Sequence, residues 1–338
     1  LAKVGLKDIA EQAGVSIALV SYVLNGQAVQ KQVNHDTAIK IKQVAKELNY
    51  QPNQIAKSLK TNKTRTIGLV VADINYRFST GITRAIEIEA KKNHLTVIYG
   101  SSNENRENLA ELITTFINHR VEGLIVVPVD NSQEEIRMIQ RADIPFILVD
   151  RNFPELETNY ITLDNYKSAY NATKHLISLG HRKISFINYS TTSFHFKERN
   201  RGYMDALKDH QIKFNKNWLQ EVSNSNRDEE VPVAMNAILS LDEPCDAVFF
   251  ATDTLTLNGL KYLIKHNIKV PDQISVLSFD ESEAFELFYS SITHSRQPLD
   301  EMGKLAVKNL LNLINHKKIE MHVHLEASLV LGDSCYKK

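Results

Sequence analysis

The sequence is short of the residues from which several chemistries are built. It holds two cysteines, Cys245 and Cys335, far apart in the chain. One disulfide is possible, but nothing demands it, and a reducing, cytoplasmic setting is expected. The 12 glycines form no phosphate-cradling loop, and there is no G-x-S-x-G elbow and no His/Cys cluster with metal-ligand spacing. No apolar run approaches the roughly 18–20 residues that span a bilayer, and no charged-then-apolar leader stands at the start, so no membrane partner is expected. A single tryptophan, Trp218, follows "FNKN" at the start of a predicted strand, where a partly buried lobe residue fits better than a stacking platform. Net charge is also lacking, with 40 Lys+Arg against 40 Asp+Glu.

That balance conceals an asymmetry. Residues 1–65 carry ten basic and four acidic residues, a net of +6, and the remainder carries −6. A small basic head on a large acidic body points to a polyanionic partner for the head.

Beyond Arg65, apolar runs rich in β-branched residues alternate with amphipathic segments. The runs are "TIGLVVADI", "LTVIYGS", "GLIVVPVD", "FILVD", "KISFINYS", "DAVFFAT" and "SVLSFD". Short, continuously apolar strands are those of parallel sheets covered on both faces. The segments between them predict helices over 80–93, 106–118, 166–179, 196–210, 228–241, 255–266 and 299–315. This alternation makes the body doubly wound α/β, in two lobes that change near Asp164. Ligands in such folds bind beyond the C-terminal strand ends. Asp73, Ser101, Asp130, Asp150, Asp164, Asp253 and Asp280 stand there. Each taken singly is an ordinary helix cap; as a set they line a cleft.

In the head, Leu6 to Ala13 predicts a helix with Leu6, Ile9, Ala10 and Ala13 on one face. Gly14 suits a positive-φ turn and Ser16 caps a second helix, whose apolar face is Val20, Val23 and Leu24. This is helix-turn-helix spacing. A third helix is predicted over Thr37–Leu48, capped by Asn34 or Asp36, with Ile41, Val44, Ala45 and Leu48 aligned. "NQIAKSLK", Asn53 to Lys60, is a short helix that orders only when packed on something.

"LKDIAEQAGVS", "VSYVLNG", "AKELNYQPNQIAKSLKTNKTRTIGLV" and "SVLSFDESEAFELFYSSITHSRQP" together resemble the LacI/GalR family of bacterial transcription regulators, from Leu6 to about Leu331. The resemblance implies a helix-turn-helix headpiece (1–50), a hinge helix and linker (51–65) and a core like periplasmic sugar-binding proteins (66–338). In that core the first lobe covers about 66–163 and 297–325, the second about 164–296 and 326–338. It implies double-stranded operator DNA bound by a homodimer at a pseudo-palindromic site, and a sugar-like effector between the lobes. It places Ser16, Ile17, Ala18, Ser21, Tyr22 and Asn25 at the DNA, with Asn34, Tyr50, Asn53, Ala56 and Leu59. Many members carry Arg where this chain has Tyr22, so the bidentate guanine contact is missing. Leu19 either extends the core or faces DNA, the core being favoured; for Tyr22 the DNA is favoured. Leu59 matches the leucine that wedges into the minor groove. The loop "NGQAVQKQV" is about three residues longer than in many members, which leaves Lys31 as its candidate phosphate contact.

The resemblance also places effector contacts at Phe78, Ser101, Asp150, Arg199, Thr252, Asp253 and Asp280. "DINYRFS" departs from the family's Asp-x-x-Asn-Pro-Phe-Phe pattern at Tyr76 and Arg77, and Thr252 replaces an Asn. Phe78 either stacks on a sugar face or packs the lobe. Arg199 among carboxylates suits a polyhydroxylated ligand, or forms an internal ion-pair network; a purine stays open. Arg201 is expected as an exposed helix charge, and "HVH" (322–324) as strand surface rather than a metal site. No cofactor is expected. A transporter's solute-binding protein would not need the basic head, and an α/β enzyme working through the cleft carboxylates lacks the motifs above, so no enzyme is expected.

Overall fold

The computed structural model describes residues 4–50 and 63–338. The chain forms two compact units, residues 1–64 and 65–338. Among the described residues no helix is long and apolar enough to cross a membrane.

In the smaller unit, α1 (Leu6–Ala13) starts where Asp8 accepts a hydrogen bond from the Gly5 N–H at 2.7 Å, and stops at Gly14, whose φ of 68° is the left-handed turn a glycine allows. α2 (Ile17–Leu24) is capped by Ser16, whose hydroxyl accepts the Leu19 N–H at 3.2 Å. α3 (His35–Glu47) begins two residues before its predicted start, because Asn34 rather than Asp36 caps it, accepting the N–H groups of Asp36 and Thr37. Ile9, Ala10, Ala13, Val20, Val23, Ile41, Val44 and Ala45 are buried together between the three helices. Small Ala10 and Ala13 at the crossing are what the helix-turn-helix spacing demands.

The larger unit contains two six-stranded sheets. The first holds β1 (Thr66–Val71), β2 (Thr96–Ser101), β3 (Gly123–Val126), β4 (Phe146–Val149), β5 (Tyr160–Leu163) and β11 (His322–Leu325), in the order β11-β5-β4-β3-β1-β2. The second holds β6 (Ile184–Tyr189), β7 (Leu219–Val222), β8 (Ala247–Phe250), β9 (Ser275–Phe279), β10 (Thr293–Arg296) and β12 (Ser328–Val330), in the order β12-β10-β9-β8-β6-β7. All pairings are parallel except β10 with β12. The chain therefore passes between lobes after β5, after β10 and after β11.

Helices α4 (Arg77–Lys92), α5 (Arg106–Asn118) and α6 (Gln133–Arg141) cover the first sheet, joined by α11 (Leu299–Ile314), which lies against α4. The second sheet carries α7 (Asn165–Ser178), α8 (Phe194–Asp209), α9 (Arg227–Leu239) and α10 (Asp253–Lys265). Each lobe has its own apolar core, built from strands buried almost throughout, such as Leu124–Val126 and Ala247–Phe250. Trp218 belongs to the second of these cores. Five strands lie outside the seven apolar runs, at Tyr160–Leu163, Leu219–Val222, Thr293–Arg296, His322–Leu325 and Ser328–Val330. Of these, the strand after Trp218 and the one at "HVH" are expected on other grounds, and the helix Gln133–Arg141 lies outside the predicted helical segments. "THSR" has no apolar residue, and its strand forms because β9 and β12 supply a ladder on either side.

Candidate functional site

The two lobes meet at the C-terminal ends of their parallel strands, around a cavity of ≈ 220 Å³. The backbone builds it twice in the same way. Asp150 follows β4 with φ 69° and Asp280 follows β9 with φ 68°, both left-handed. Asp tolerates that conformation better than most residues. The turn takes the chain sharply off the strand and leaves each carboxylate in the cavity wall. Strained backbone of this kind clusters at ligand sites. Asp253 opens α10 directly after Thr252, whose hydroxyl caps that helix by accepting the Leu255 N–H at 3.2 Å.

Arg199 comes across from α8 and is 2% exposed. Its Nε donates to Asn165 Oδ1 at 2.8 Å and its Nη1 to the Ala251 carbonyl at 2.6 Å. The guanidinium lies over Phe279, 3.6 Å from the ring centroid. Asp280 is 3.9 Å away, an ion pair without a hydrogen bond, and accepts instead from Gln297 at 2.6 Å. Arg199 is thus held by neutral acceptors, while the carboxylates keep oxygens for another donor. Burial pushes Asp150 up to about 6, against the pull of Arg151 and Arg199. Burial and the charge of Asp280 push Asp253 up to about 6. Burial also raises Asp280, opposed by Arg199. Burial, with Arg151 and Arg199 nearby, holds His195 well below the ordinary histidine range, so it is neutral.

Of the residues expected here, Phe78, Asp150, Arg199, Thr252, Asp253 and Asp280 line the cavity. Phe78 lines the cavity with one part of its surface and packs on the first-lobe core with another. Ser101 does not line the cavity: its hydroxyl accepts the Ile74 N–H at 3.1 Å and donates to Asn103 at 2.7 Å, fastening the loop after β1. Asp130, one of the polar strand ends, lines the cavity as well, whereas Asp73 and Asp164 of that set do not; Tyr76, Glu104, Arg151, His195, Asn224 and Gln297 line it without having been expected as contacts. Tyr76 and Gln297 stood in the quoted motifs, but nothing in the sequence marked His195. Arg201 is exposed on α8, paired to Glu198 and stacked on Tyr166. His322 stacks on Tyr160 and His324 bonds to Thr162; among the described residues no group of three or more His, Cys, Asp or Glu is placed to hold a metal.

The cleft is bridged on two sides. Asp130 of the first lobe accepts hydrogen bonds from the Thr191 and Ser193 hydroxyls of the second. Opposite, Tyr76 accepts from Asn224 at 2.7 Å, and Arg77 pairs with Glu281 at 3.3 Å and Glu283 at 3.1 Å. The two departures from the family pattern, Tyr76 and Arg77, are therefore both bridging residues.

In the head, Ser16, Ile17 and Ala18 are exposed at the start of α2, Ile17 to 48% despite being apolar. Leu19 packs on the head core, whereas Tyr22 is half-exposed, with the Lys31 ammonium 5.5 Å from its ring centroid. Asn25 is exposed, but its amide donates to the carbonyl of Ser21 at 2.8 Å and the hydroxyl at 3.2 Å. Asn34 caps α3, and Tyr50 packs on the head core. Asn53, Ala56 and Leu59 lie outside the described residues.

The comparisons with known proteins agree along the whole chain. Residues 5–53 match the family described as bacterial regulatory proteins, lacI family. Residues 64–326 match the family described as periplasmic binding proteins and sugar binding domain of LacI family. The HTH-type transcriptional regulator RegA of Clostridium saccharobutylicum is 31% identical over 331 residues, 97% of this chain and 98% of its own. The ribose operon repressor of Haemophilus influenzae is 30% identical over 334 residues, 98% of each. The crystal structure of the lac repressor dimer bound to operator and the anti-inducer ONPF superposes with a TM-score of 0.85 at 23% identity, over 99% of both chains.

Proposed function

The chain belongs to the LacI family of bacterial regulatory proteins and is a ligand-responsive DNA-binding transcription regulator, and we propose that it is a repressor whose effector is a sugar or a close derivative. The relatives matched along its length are regulators, not enzymes. The observation that carries the effector reading is the Arg199 cluster: a guanidinium fixed by neutral acceptors, with Asp150, Asp253 and Asp280 around the same cavity and hydrogen-bonding capacity to spare. Carboxylates accept from vicinal hydroxyls and a guanidinium donates to ring or hydroxyl oxygens, which is how polyols are held. The ring of Phe78 offers an apolar face beside them. A cavity of ≈ 220 Å³ lies below the roughly 300–1,000 Å³ of drug-sized sites.

On the DNA side, Ser16, Ile17, Ala18, Ser21, Tyr22 and Asn25 meet base edges and phosphates of a pseudo-palindromic operator, with the protein as a homodimer. Asn34 and Tyr50 support that surface. The hinge contacts proposed for Asn53, Ala56 and Leu59 follow from the sequence resemblance alone. Two hinge segments order together in the minor groove, each inserting a Leu59 whose unstacking cost of a few kcal/mol is offset by contacts to the bent duplex. Effector and operator then change each other's affinity by the same factor.

Operator fluorescence anisotropy with a panel of sugars and sugar acids tests this reading, together with thermal shift of the protein alone. A true effector raises the melting temperature and shifts operator affinity in either direction. Leu59→Ser weakens operator binding and leaves the thermal shift unchanged. A panel in which no carbohydrate moves either signal sinks the effector reading; an unaltered Leu59→Ser protein sinks the hinge.

A further inference from the structure

We propose that the effector is two linked rings, a disaccharide or glycoside, with one ring at the Arg199 cluster and the second in an adjoining compartment. This rests on the carbohydrate reading above and goes beyond it in ligand size.

The second compartment is a cavity of ≈ 300 Å³ beside the first. The two share Asp130, Arg151, Ser193 and His195 as a common wall. That wall contains unfinished chemistry. His195 is only 6% exposed, yet its Nδ1 has no hydrogen-bond partner. Buried polar atoms are rarely left so, because each unsatisfied one costs a desolvation penalty. The Arg151 Nε beside it also makes no hydrogen bond, although Glu104 grips the two terminal nitrogens at 2.8 and 2.7 Å. Asp150 Oδ2 is 3.7 Å from that Nε, beyond hydrogen-bond reach. A neutral imidazole accepts from a hydroxyl or donates to a ring oxygen, and a ligand bridging the wall supplies either partner.

The far walls suit a sugar ring. Phe153 and Pro154 from the first lobe and Phe194 from the second give apolar faces, with the polar side chains of Asn152 and Lys197 among them. Phe194, the first residue of α8, is 41% exposed, as a stacking platform has to be. Ser193 precedes it at the cap position but turns its hydroxyl to Asp130, so the first-turn N–H groups of α8 have no side-chain cap. A phosphate is the other group such a helix start attracts. Charge argues against it: Arg151 is neutralised by Glu104, and the carboxylates of Asp130 and Glu155 line the same compartment as Lys197. A neutral ring with several oxygens matches the walls better than an anion does.

Calorimetric titration of the full chain with matched sugars tests the proposal. The probes are D-glucose against maltose and cellobiose, D-galactose against lactose and melibiose, and glucose 6-phosphate. At least one disaccharide is expected to bind about tenfold tighter than its own monosaccharide, the scale of one good stacked ring. Phe194→Ser is expected to remove that advantage while leaving monosaccharide affinity and the melting temperature as they were. Monosaccharides that match every disaccharide overturn the second compartment, as does a Phe194→Ser change that affects both classes equally or neither. A sugar phosphate that outbinds the disaccharides overturns the neutral ring. If monosaccharides and disaccharides alike fail to bind, the carbohydrate reading itself falls and takes this inference with it.

Discussion

Replacing Arg199 by Met separates what this side chain does for the fold from what it does for the ligand. Met keeps much of the length and the apolar contact with Phe279 but removes a charge that is 2% exposed. Three costs follow. Asn165 Oδ1 and the Ala251 carbonyl each lose a donor, at 2.8 and 2.6 Å. Asp280 loses the cation 3.9 Å away that opposes its burial. Asp150, already at about 6, loses one of its two stabilising cations. Removing one member of a buried charged set costs roughly 3–5 kcal/mol. For a unit of this size that lowers the melting temperature by roughly 6–20 °C. Adding Asp280→Asn should recover part of the loss, because the uncompensated carboxylate is then gone. Arg199→Lys retains the charge but not the planar fork; with one or two charge-assisted bonds missing, at roughly 1.5–3 kcal/mol each, effector affinity falls tenfold or more. Differential scanning calorimetry and effector titration of the three variants decide the matter. The reasoning fails if Arg199→Met melts within a degree or two of the parent, or if Asp280→Asn makes matters worse.

Effector binding should depend on pH through Asp150 and Asp253, both pushed to about 6 by burial. A ligand hydroxyl favours the ionised carboxylate, so affinity should climb by roughly tenfold from pH 5 to 7 and then level off; flat affinity over that range refutes the carboxylate contacts. For the empty protein the sign is opposite. The raised values contribute stability that is fully present below the ordinary Asp range and lost as pH rises through 6, and Asp150→Asn should flatten that loss in pH-dependent melting. Gly202→Ala sets helix propensity, which favours Ala by about 1 kcal/mol, against a Cβ that would press into the Tyr166 carbonyl and lie 2.9 Å from the Tyr170 nitrogen. Both are backbone atoms of α7 and cannot yield, so a net loss of roughly 1–3 kcal/mol is expected; an unchanged or higher melting temperature contradicts the crossing. Tyr22→Arg should introduce a guanine preference of roughly 1–3 kcal/mol at the base it meets, read by operator selection. A parent protein that already shows that preference through Tyr22 is the refuting result.

The α/β body was legible because a covered parallel strand writes itself as an unbroken apolar run. All seven such runs are strands. The strands outside those runs owe their existence to partners elsewhere: "THSR" pairs with β9 on one side and, in antiparallel sense, with β12 on the other. Local patterning contains nothing of that. Helix starts were harder to place than helix bodies, and the cap explains the difference: choosing Asn34 over Asp36 as the cap moves the start of α3 by two residues.

The cleft shows the same division at finer scale. A carboxylate at the C-terminal end of a parallel strand faces the ligand side by topology, and so Asp150, Asp253 and Asp280 could be expected before any contact was seen. Ser101 satisfies the same rule and yet is engaged elsewhere, because a hydroxyl beside a loop N–H finds a closer partner in Ile74 than any ligand offers. His195 satisfies no sequence rule. It enters the cavity from the first turn of a helix on the opposite lobe, beside a serine that bonds across the cleft to Asp130. Tyr76 and Arg77 were visible only as departures from a pattern, and their partners, Asn224, Glu281 and Glu283, lie on the other lobe. Residues that hold a ligand in one lobe are fixed by local topology and can be read from the chain. Residues that join two lobes depend on how the lobes meet: Tyr76 and Arg77 showed in the sequence only as departures from a pattern, and Thr191 and Ser193, which bond across the cleft to Asp130, carried no mark at all.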